Sequence, residues 1–182
     1  MTGSPLALIR RYYAGSPEAM RILIGHSAMV AAKALRTAER AGLMIDLPFT
    51  YEAAMLHDIG VVRCDAPGIG CYGSEPYIRH GMLGAEILRA EGLPRHALVA
   101  ERHTGTGLTE VMIRERRLPL PERDFIPISP EEKLICFADK FYSKTHVYEE
   151  KTISQARAAV ARHGGGGAEI FDEWCRIYLP HS

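Results

Sequence analysis

The chain has 182 residues, 47% of them hydrophobic and 24% charged, which suits one globular domain with a full core. Its 22 basic and 22 acidic side chains cancel with histidine neutral, so the basic excess of a general nucleic-acid binder is absent and no stable nucleic-acid binding is expected. A small phosphorylated ligand is not excluded by that balance.

In chain order, Ser16-Pro17-Glu18 places an N-cap and a first-turn proline at the head of a long helix that runs to about Gly42. Thr50 is expected to cap a second helix, which carries His57-Asp58 at its end. A loop rich in Gly and Pro follows from Cys64 to Pro76. The spacing predicts a third helix from about Tyr77 to Glu91, stopped by Gly92, and a short one from Pro94 to Arg102. Between Thr104 and Ser129 the pattern is irregular, with one short helix near Leu108 to Arg117. Ser129-Pro130-Glu131-Glu132 is a capping-box signal for the next helix. Two helices close the chain, about Ile153 to His163 and Ala168 to Tyr178, with Gly164 to Gly167 between them. No run alternates as a strand does. The expected architecture is an all-α helical bundle, one domain over 1–182, with a core of about 16–150 and a C-terminal helical extension of about 151–182.

The cysteines at 64, 71, 136 and 175 lack the paired spacing of a structural zinc site and read as free thiols. No basic region followed by an apolar stretch opens the chain, and no segment reaches the ~20 apolar residues of a membrane span. A cytoplasmic protein without membrane contact is therefore expected.

The most informative local feature is Ala53-Ala54-Met55-Leu56-His57-Asp58-Ile59-Gly60, an imidazole and a carboxylate side by side after an apolar helical stretch. Burying two such groups is costly unless something binds them. His26 shares a helix face with Ile22, Leu23, Met29 and Val30, and Asp139 shares one with Ile135, Cys136 and Tyr142. His80 lies on the face of Leu83 and Ile87, and His103 follows Val99 by four residues at a helix end. A single histidine on an apolar face is ordinarily a hydrogen-bonded core residue. Several helices that each direct an imidazole or carboxylate inward instead suggest a transition-metal site inside a bundle. His26, His57, Asp58 and Asp139 are the candidate ligands of one ion. His80 and His103 are candidates for a second ion or for contact with a substrate phosphate. His96, His146, His163 and His181 do not fit the pattern and read as surface or structural.

These residues carry a likeness to a known family. The order His26, His57-Asp58, Asp139 resembles the HD superfamily of metal-dependent phosphohydrolases, and His57-Asp58-Ile59-Gly60 matches the HDIG form of its signature. The likeness extends over roughly residues 20 to 145. His80-Gly81-Met82-Leu83-Gly84 and Arg102-His103-Thr104-Gly105 are similar to the two extra-histidine segments of dinuclear members. The sequence departs from the cyclic dinucleotide phosphodiesterases of the superfamily, since Thr104-Gly105-Thr106-Gly107-Leu108 stands where their GYP signature would lie.

The resemblance implies a bundle of the HD-domain type and hydrolysis of a nucleotide or similar small phosphate ester, with metal-bound hydroxide as nucleophile. One or two divalent ions of Fe, Mn, Zn, Co or Ni would be held by His26, His57, Asp58, His80, His103 and Asp139, with Asp58 able to bridge. Asp58, Lys140 and Arg102 are the expected catalytic residues, the two cations because they adjoin presumed ligands. Arg79 and Lys144 are further cationic candidates for a phosphate. Arg114, Arg116 and Arg117 form either a solvated helix face or a phosphate-gathering lid. The alternatives are a di-iron oxygenase on the same scaffold and a non-catalytic nucleotide-binding module. A homodimer is left open.

Overall fold

The structure is a computed structural model and describes residues 4–180. Among the described residues the regular structure is helical apart from one two-stranded ribbon and isolated bridges. The helices are α1 (Pro5–Tyr12), α2 (Pro17–Arg40), α3 (Leu47–Leu56), α4 (His80–Ala90), α5 (Pro94–Arg102), α6 (Glu110–Glu115), α7 (Pro130–Asp139), α8 (Ile153–Ala161) and α9 (Gly167–Tyr178). Three single-turn 3-10 segments, Ile59–Arg63, Pro67–Ile69 and Tyr77–Arg79, fall between α3 and α4. The all-α expectation holds.

Several local expectations need correction. Helix α1 has the same Ser-Pro opening as α2, with Ser4 Oγ accepting from Ala7 N at 3.3 Å, and was not anticipated. Helix α3 begins earlier than Thr50: Asp46 is its cap, its carboxylate accepting from Phe49 N at 3.0 Å, while Thr50 Oγ1 donates back to the Asp46 carbonyl. Ser16 heads α2 without a side-chain cap bond. At α7 the Ser129 hydroxyl accepts from Glu132 N, but Glu132 reaches back to Ile128 N rather than to Ser129, so the box is displaced by one residue. A complete capping box occurs instead at Thr152 and Gln155, at the head of α8. The expected loop from Cys64 to Pro76 holds β1 (Asp65–Ala66) paired antiparallel with β2 (Cys71–Tyr72). Two residues per strand are too few to show alternation.

Helix α2 is the long wall against which α3 and α7 pack, and α4 lies between α5 and the 3-10 turn that follows His57-Asp58. Two glycines let α4 approach so closely. A Cβ on Gly60 would stand 2.2 Å from both the Gly84 nitrogen and the His80 carbonyl oxygen, and one on Gly81 would stand 2.6 Å from the Ala100 carbonyl oxygen. Tyr13, buried at the end of α1, donates to the Ile59 carbonyl at 3.2 Å and ties the N-terminal helix to that turn. Helix α9 is joined to α7 through an aromatic cluster in which Phe137 meets Phe171 and Tyr178 at ring separations of 5.5 and 5.1 Å. A separate small apolar cluster of Leu108, Ile113 and Phe125 fills the space under α6.

Candidate metal centre

Five of the six histidine and aspartate candidates sit where a helix begins or ends. His57 follows the last residue of α3, Asp58 precedes the 3-10 turn, His80 opens α4, His103 follows α5, and Asp139 ends α7. His26 alone projects from mid-helix, on the buried face of α2. Helix ends change the chain direction within a residue or two. That geometry allows five segments to aim side chains at one point.

The structure brings all six together in two groups that share Asp58. Ligand atoms of His26, His57, Asp58 and Asp139 all lie within 4.8 Å of one another, as do those of Asp58, His80 and His103. Asp58 is fully buried and turns one oxygen to each group. Its Oδ2 is 3.2 Å from His26 Nε2 and 3.0 Å from His57 Nε2; its Oδ1 is 3.4 Å from Nε2 of both His80 and His103. Asp139 Oδ1 stands 3.0 Å from His26 Nε2 and 3.5 Å from His57 Nε2.

Three of the imidazoles are held the same way. His57 Nδ1 lies 2.6 Å from the Ala54 carbonyl, His80 Nδ1 lies 2.7 Å from that of Tyr77, and His103 Nδ1 lies 2.7 Å from that of Ala100. A carbonyl can only accept, so each Nδ1 carries the proton. In the neutral ring each Nε2 then presents a lone pair to the centre. Such second hydrogen bonds fix the tautomer and orientation of metal-binding histidines.

The centre fits a divalent cation on its own chemistry. His80 Nε2 and His103 Nε2 face each other at 3.0 Å, two lone pairs with no proton to share while both rings are neutral. Burial, together with the mutual repulsion of the pair and of nearby Lys144, pushes His80 down to about 3, and burial lowers His103 as well. His57 Nε2 and both Asp58 oxygens are buried without a hydrogen bond of acceptable geometry despite their close neighbours. Buried polar atoms in a native protein are normally satisfied. Atoms this close that do not point at each other point at a common third position.

Charge is concentrated here as well. Burial opposes ionisation of Asp58, yet Lys144 and His57 hold it well below the usual carboxylate range. Burial likewise opposes Asp139, which Lys140 and His26 hold low. The two carboxylates in turn outweigh burial at His57 and lift its imidazole to about 9. At that ring the local field favours positive charge, although Lys140 and Lys144 balance the two carboxylates overall.

The cationic candidates divide. Lys140 Nζ donates to Asp139 Oδ2 at 2.8 Å and to the His103 carbonyl at 3.0 Å, so it braces both groups. Lys144 Nζ stands 2.6 Å from Asp58 Oδ2, the nearest cation to the shared carboxylate. Arg102, expected at the site, turns away. Its guanidinium donates to Glu132 at 3.0 Å and supports the start of α7. Arg79 is paired with Glu75. Of the remaining histidines, His96 is buried against Phe49 and within 3.3 Å of Glu52, His146 and His163 are exposed, and His181 lies outside the described residues. Two residues of the site escaped sequence reasoning. Tyr77 stacks on His80 at 4.8 Å, and Tyr142 lines the approach to Asp139. Only their closeness in sequence to His80 and Asp139 could have pointed to them.

A cavity of about 380 Å³ opens onto the centre, lined by His26, Asp139, Tyr77, Lys144, Ser143 and Thr145 among others. A second, of about 330 Å³, shares Asp139 and Tyr142 with it and lies under α8. Both fall at the small end of the roughly 300–1,000 Å³ of small-molecule sites.

Comparison with known proteins agrees with this arrangement. A family model described as HD domain matches residues 23–143. An uncharacterized protein of Methanocaldococcus jannaschii is 39% identical over 99 residues, which make up 54% of this chain and 51% of that protein. A tRNA (cytidine(56)-2'-O)-methyltransferase of Picrophilus torridus is 29% identical over 157 residues, 81% of this chain and 42% of that protein. The chain thus spans about half or less of the curated relatives it matches. Among solved structures, the HD domain of the L. monocytogenes phosphodiesterase PgpH in complex with cyclic-di-AMP aligns with a TM-score of 0.55 at 18% identity, covering 97% of this chain and 98% of that one. At that identity the likeness speaks for the fold.

Proposed function

The chain belongs to the HD-domain family, and from that membership and its buried histidine–aspartate centre we propose that it is a metal-dependent phosphohydrolase acting on a nucleotide or similar small phosphate ester. The observation that carries this reading is the charge around the centre. Lys140 and Lys144 already lie beside Asp139 and Asp58, so the two carboxylates are balanced before any metal arrives. With neutral imidazoles, as coordination requires, each divalent ion leaves the centre in positive excess. An anionic substrate removes that excess; a neutral one does not. The solved complex of the PgpH domain with cyclic-di-AMP supports a nucleotide as the class.

Asp58, the carboxylate common to both groups, would bridge two ions, with His26, His57 and Asp139 on one side and His80 and His103 on the other. The ions supply Lewis acidity, which acidifies water and draws off the charge that develops on phosphate oxygens. The protein supplies the rest. The backbone carbonyls of Ala54, Tyr77 and Ala100 keep three imidazoles unprotonated at Nε2. Lys140 holds Asp139 in place. Lys144, paired with Asp58 and lining the open cavity, would offer its ammonium to a phosphate oxygen. The hydroxyls of Ser143 and Thr145, 2.7 Å apart on the cavity rim, offer further donors.

The test is phosphate or nucleotide release from a substrate panel by protein loaded with manganese, iron, cobalt or nickel. His57→Ala and Asp58→Ala should each abolish it. Turnover that survives both substitutions, or oxygen consumption by the iron-loaded protein without phosphate release, would refute the assignment.

A further inference from the structure

The cavity under α8 differs from the one above the centre in who builds it. Its outer wall is Ala159, Val160, His163, Gly164 and Gly167, all beyond the residues 23–143 that match the family model. Its inner end is Asp139 and Tyr142, the residues it shares with the cavity that opens onto the centre. The two cavities are thus neighbours at Asp139 and Tyr142, one on the side of the centre and one on the side of the C-terminal helices.

The lining has two chemical faces. Leu108, Met112, Leu118 and Val160 offer an apolar slot of the kind that accepts a flat ring. The polar lining includes the cations Arg116, Lys140 and Lys151, with Asp139 the one carboxylate. Lys140 is committed to Asp139 and to the His103 carbonyl. Arg116 and Lys151 are not so committed. Among the described residues neither is paired with a carboxylate, and Lys151 Nζ finds only the Tyr142 carbonyl, at 2.9 Å. Burial lowers the Lys151 ammonium from its ordinary range, although the Asp139 carboxylate pulls the other way. By contrast Arg114, on the same helix as Met112, pairs with Glu110 at 3.3 Å.

The glycine run keeps this space open. Gly164, Gly165 and Gly166 all adopt the left-handed conformation, with φ of 61°, 68° and 74°. A Cβ on Gly165 would lie 2.8 Å from the Met112 methyl and 3.3 Å from Arg116 Nη2. Any side chain there would crowd both the apolar slot and the guanidinium.

Resting on the phosphohydrolase reading, we propose that this cavity is a second substrate subsite for a nucleoside unit that bears its own phosphate. Arg116 and Lys151 hold that phosphate, and the preferred substrates carry two phosphate groups separated by a nucleoside. The C-terminal helices are then specificity elements added to the family's catalytic frame.

The test uses two thymidine dinucleotides that differ by one terminal phosphate, TpT and its 5'-phosphorylated form pTpT. With the manganese-loaded protein, kcat/KM should favour pTpT. The double variant Arg116→Ala/Lys151→Gln should lose about tenfold to a hundredfold on pTpT through KM, the scale of one or two charge-assisted hydrogen bonds, while TpT is unchanged. Arg116→Lys should keep part of the preference. A parallel measurement of equilibrium binding in calcium-loaded wild type separates this subsite from the chemistry. If the manganese-loaded protein cleaves neither dinucleotide, the binding arm alone decides. Equal affinity for pTpT and TpT, equal loss on both in the double variant, or no binding of either would overturn the subsite. Selective binding of pTpT without turnover would leave the subsite standing and count against the hydrolase.

Discussion

Gly60→Ala should disable half of the metal centre without touching a ligand. In the native structure the added Cβ would stand 2.2 Å from two backbone atoms of α4, the Gly84 nitrogen and the His80 carbonyl oxygen. An ordinary nonbonded carbon contact lies near ~3.5 Å, so α4 and the turn after Asp58 must separate by more than ~1 Å. Neither obstacle is a side chain that can swing aside. His80 moves with its own carbonyl, whereas metal sites tolerate only about ±0.2 Å in ligand distance. The group formed by Asp58, His80 and His103 should therefore lose its ion. The group of His26, His57, Asp58 and Asp139 involves no residue of α4 and should keep one. Overpacking of this kind costs ~1–3 kcal/mol, and a backbone collision belongs at the upper end. At roughly 2–4 °C per kcal/mol for a chain of this length, Tm should fall by about 6–12 °C. Metal analysis of protein purified without added metal, paired with thermal melts, reads both effects. A variant that binds as many ions as wild type and melts within 2 °C of it would refute the argument that this glycine positions His80.

Asp58→Asn should remove every ion, since both groups share that carboxylate, whereas His80→Ala should remove one; ion counts per chain distinguish a bridged pair from a single site. Lys144→Met leaves Asp58 buried without its ammonium, which should cost the metal-free protein about 3–5 kcal/mol. A bound ion replaces the missing charge, so the loaded variant should recover most of that loss, and equal deficits with and without metal would contradict the pairing. Glu150 ties the segment after Asp139 to α2 through Lys33 at 2.5 Å and Tyr142 at 2.7 Å. Burial works against its carboxylate, but Lys33 and Tyr142 hold it below the ordinary glutamate range. A depressed folded value means the stabilisation is complete above the unfolded glutamate range and disappears as pH falls through the folded one. Glu150→Gln should then cost under ~1 kcal/mol at pH 7, because the group is well exposed and screened, and the difference from wild type should vanish in acid. Melts at neutral and acid pH would show a constant difference if the reasoning is wrong.

The helices were legible where their caps and stops were local. Pro94 to Arg102 and the start of α7 at Ser129-Pro130 follow from two or three residues each. Helix α1 bears an equally plain signal in Ser4-Pro5 and went unread because only eight residues follow it. Thr50 reads as a cap in the sequence because it precedes the apolar stretch, yet its hydroxyl donates to a carbonyl one turn back, a bond open to any mid-helix threonine. At the centre, helical periodicity could place His26 and Asp139 on buried faces. It could not say that those faces meet, and the family likeness supplied that. Adjacency in sequence misled for Arg102: a residue next to a ligand at a helix end points about 100° away from it, and its guanidinium found Glu132 instead. Lys144 lies five residues past Asp139, beyond the end of α7, so no helical spacing relates the two. Only the path of the chain after that helix returns its ammonium to Asp58.

The repeated carbonyl lock explains how so polar a cluster survives inside an apolar bundle. Ala54 and His57, Tyr77 and His80, and Ala100 and His103 are each three residues apart at the end of a helical turn. At the ends of α3 and α5 the carbonyls of Ala54 and Ala100 lie past the last full turn and take the imidazole instead, whereas the Tyr77 carbonyl takes both the His80 backbone N–H and its ring. In each case the Nδ1 bond commits Nε2 to the interior. One hydrogen bond thus terminates the turn, fixes the tautomer and aims the donor. The arrangement leaves the metal-free fold with opposed lone pairs at His80 and His103 and a carboxylate that neither group satisfies. A bound cation would remove those unfavourable contacts, so binding should appear as a gain in fold stability as well as in activity. A chain that shed the metal would relieve them more cheaply by loss of a single histidine, and this one keeps all four.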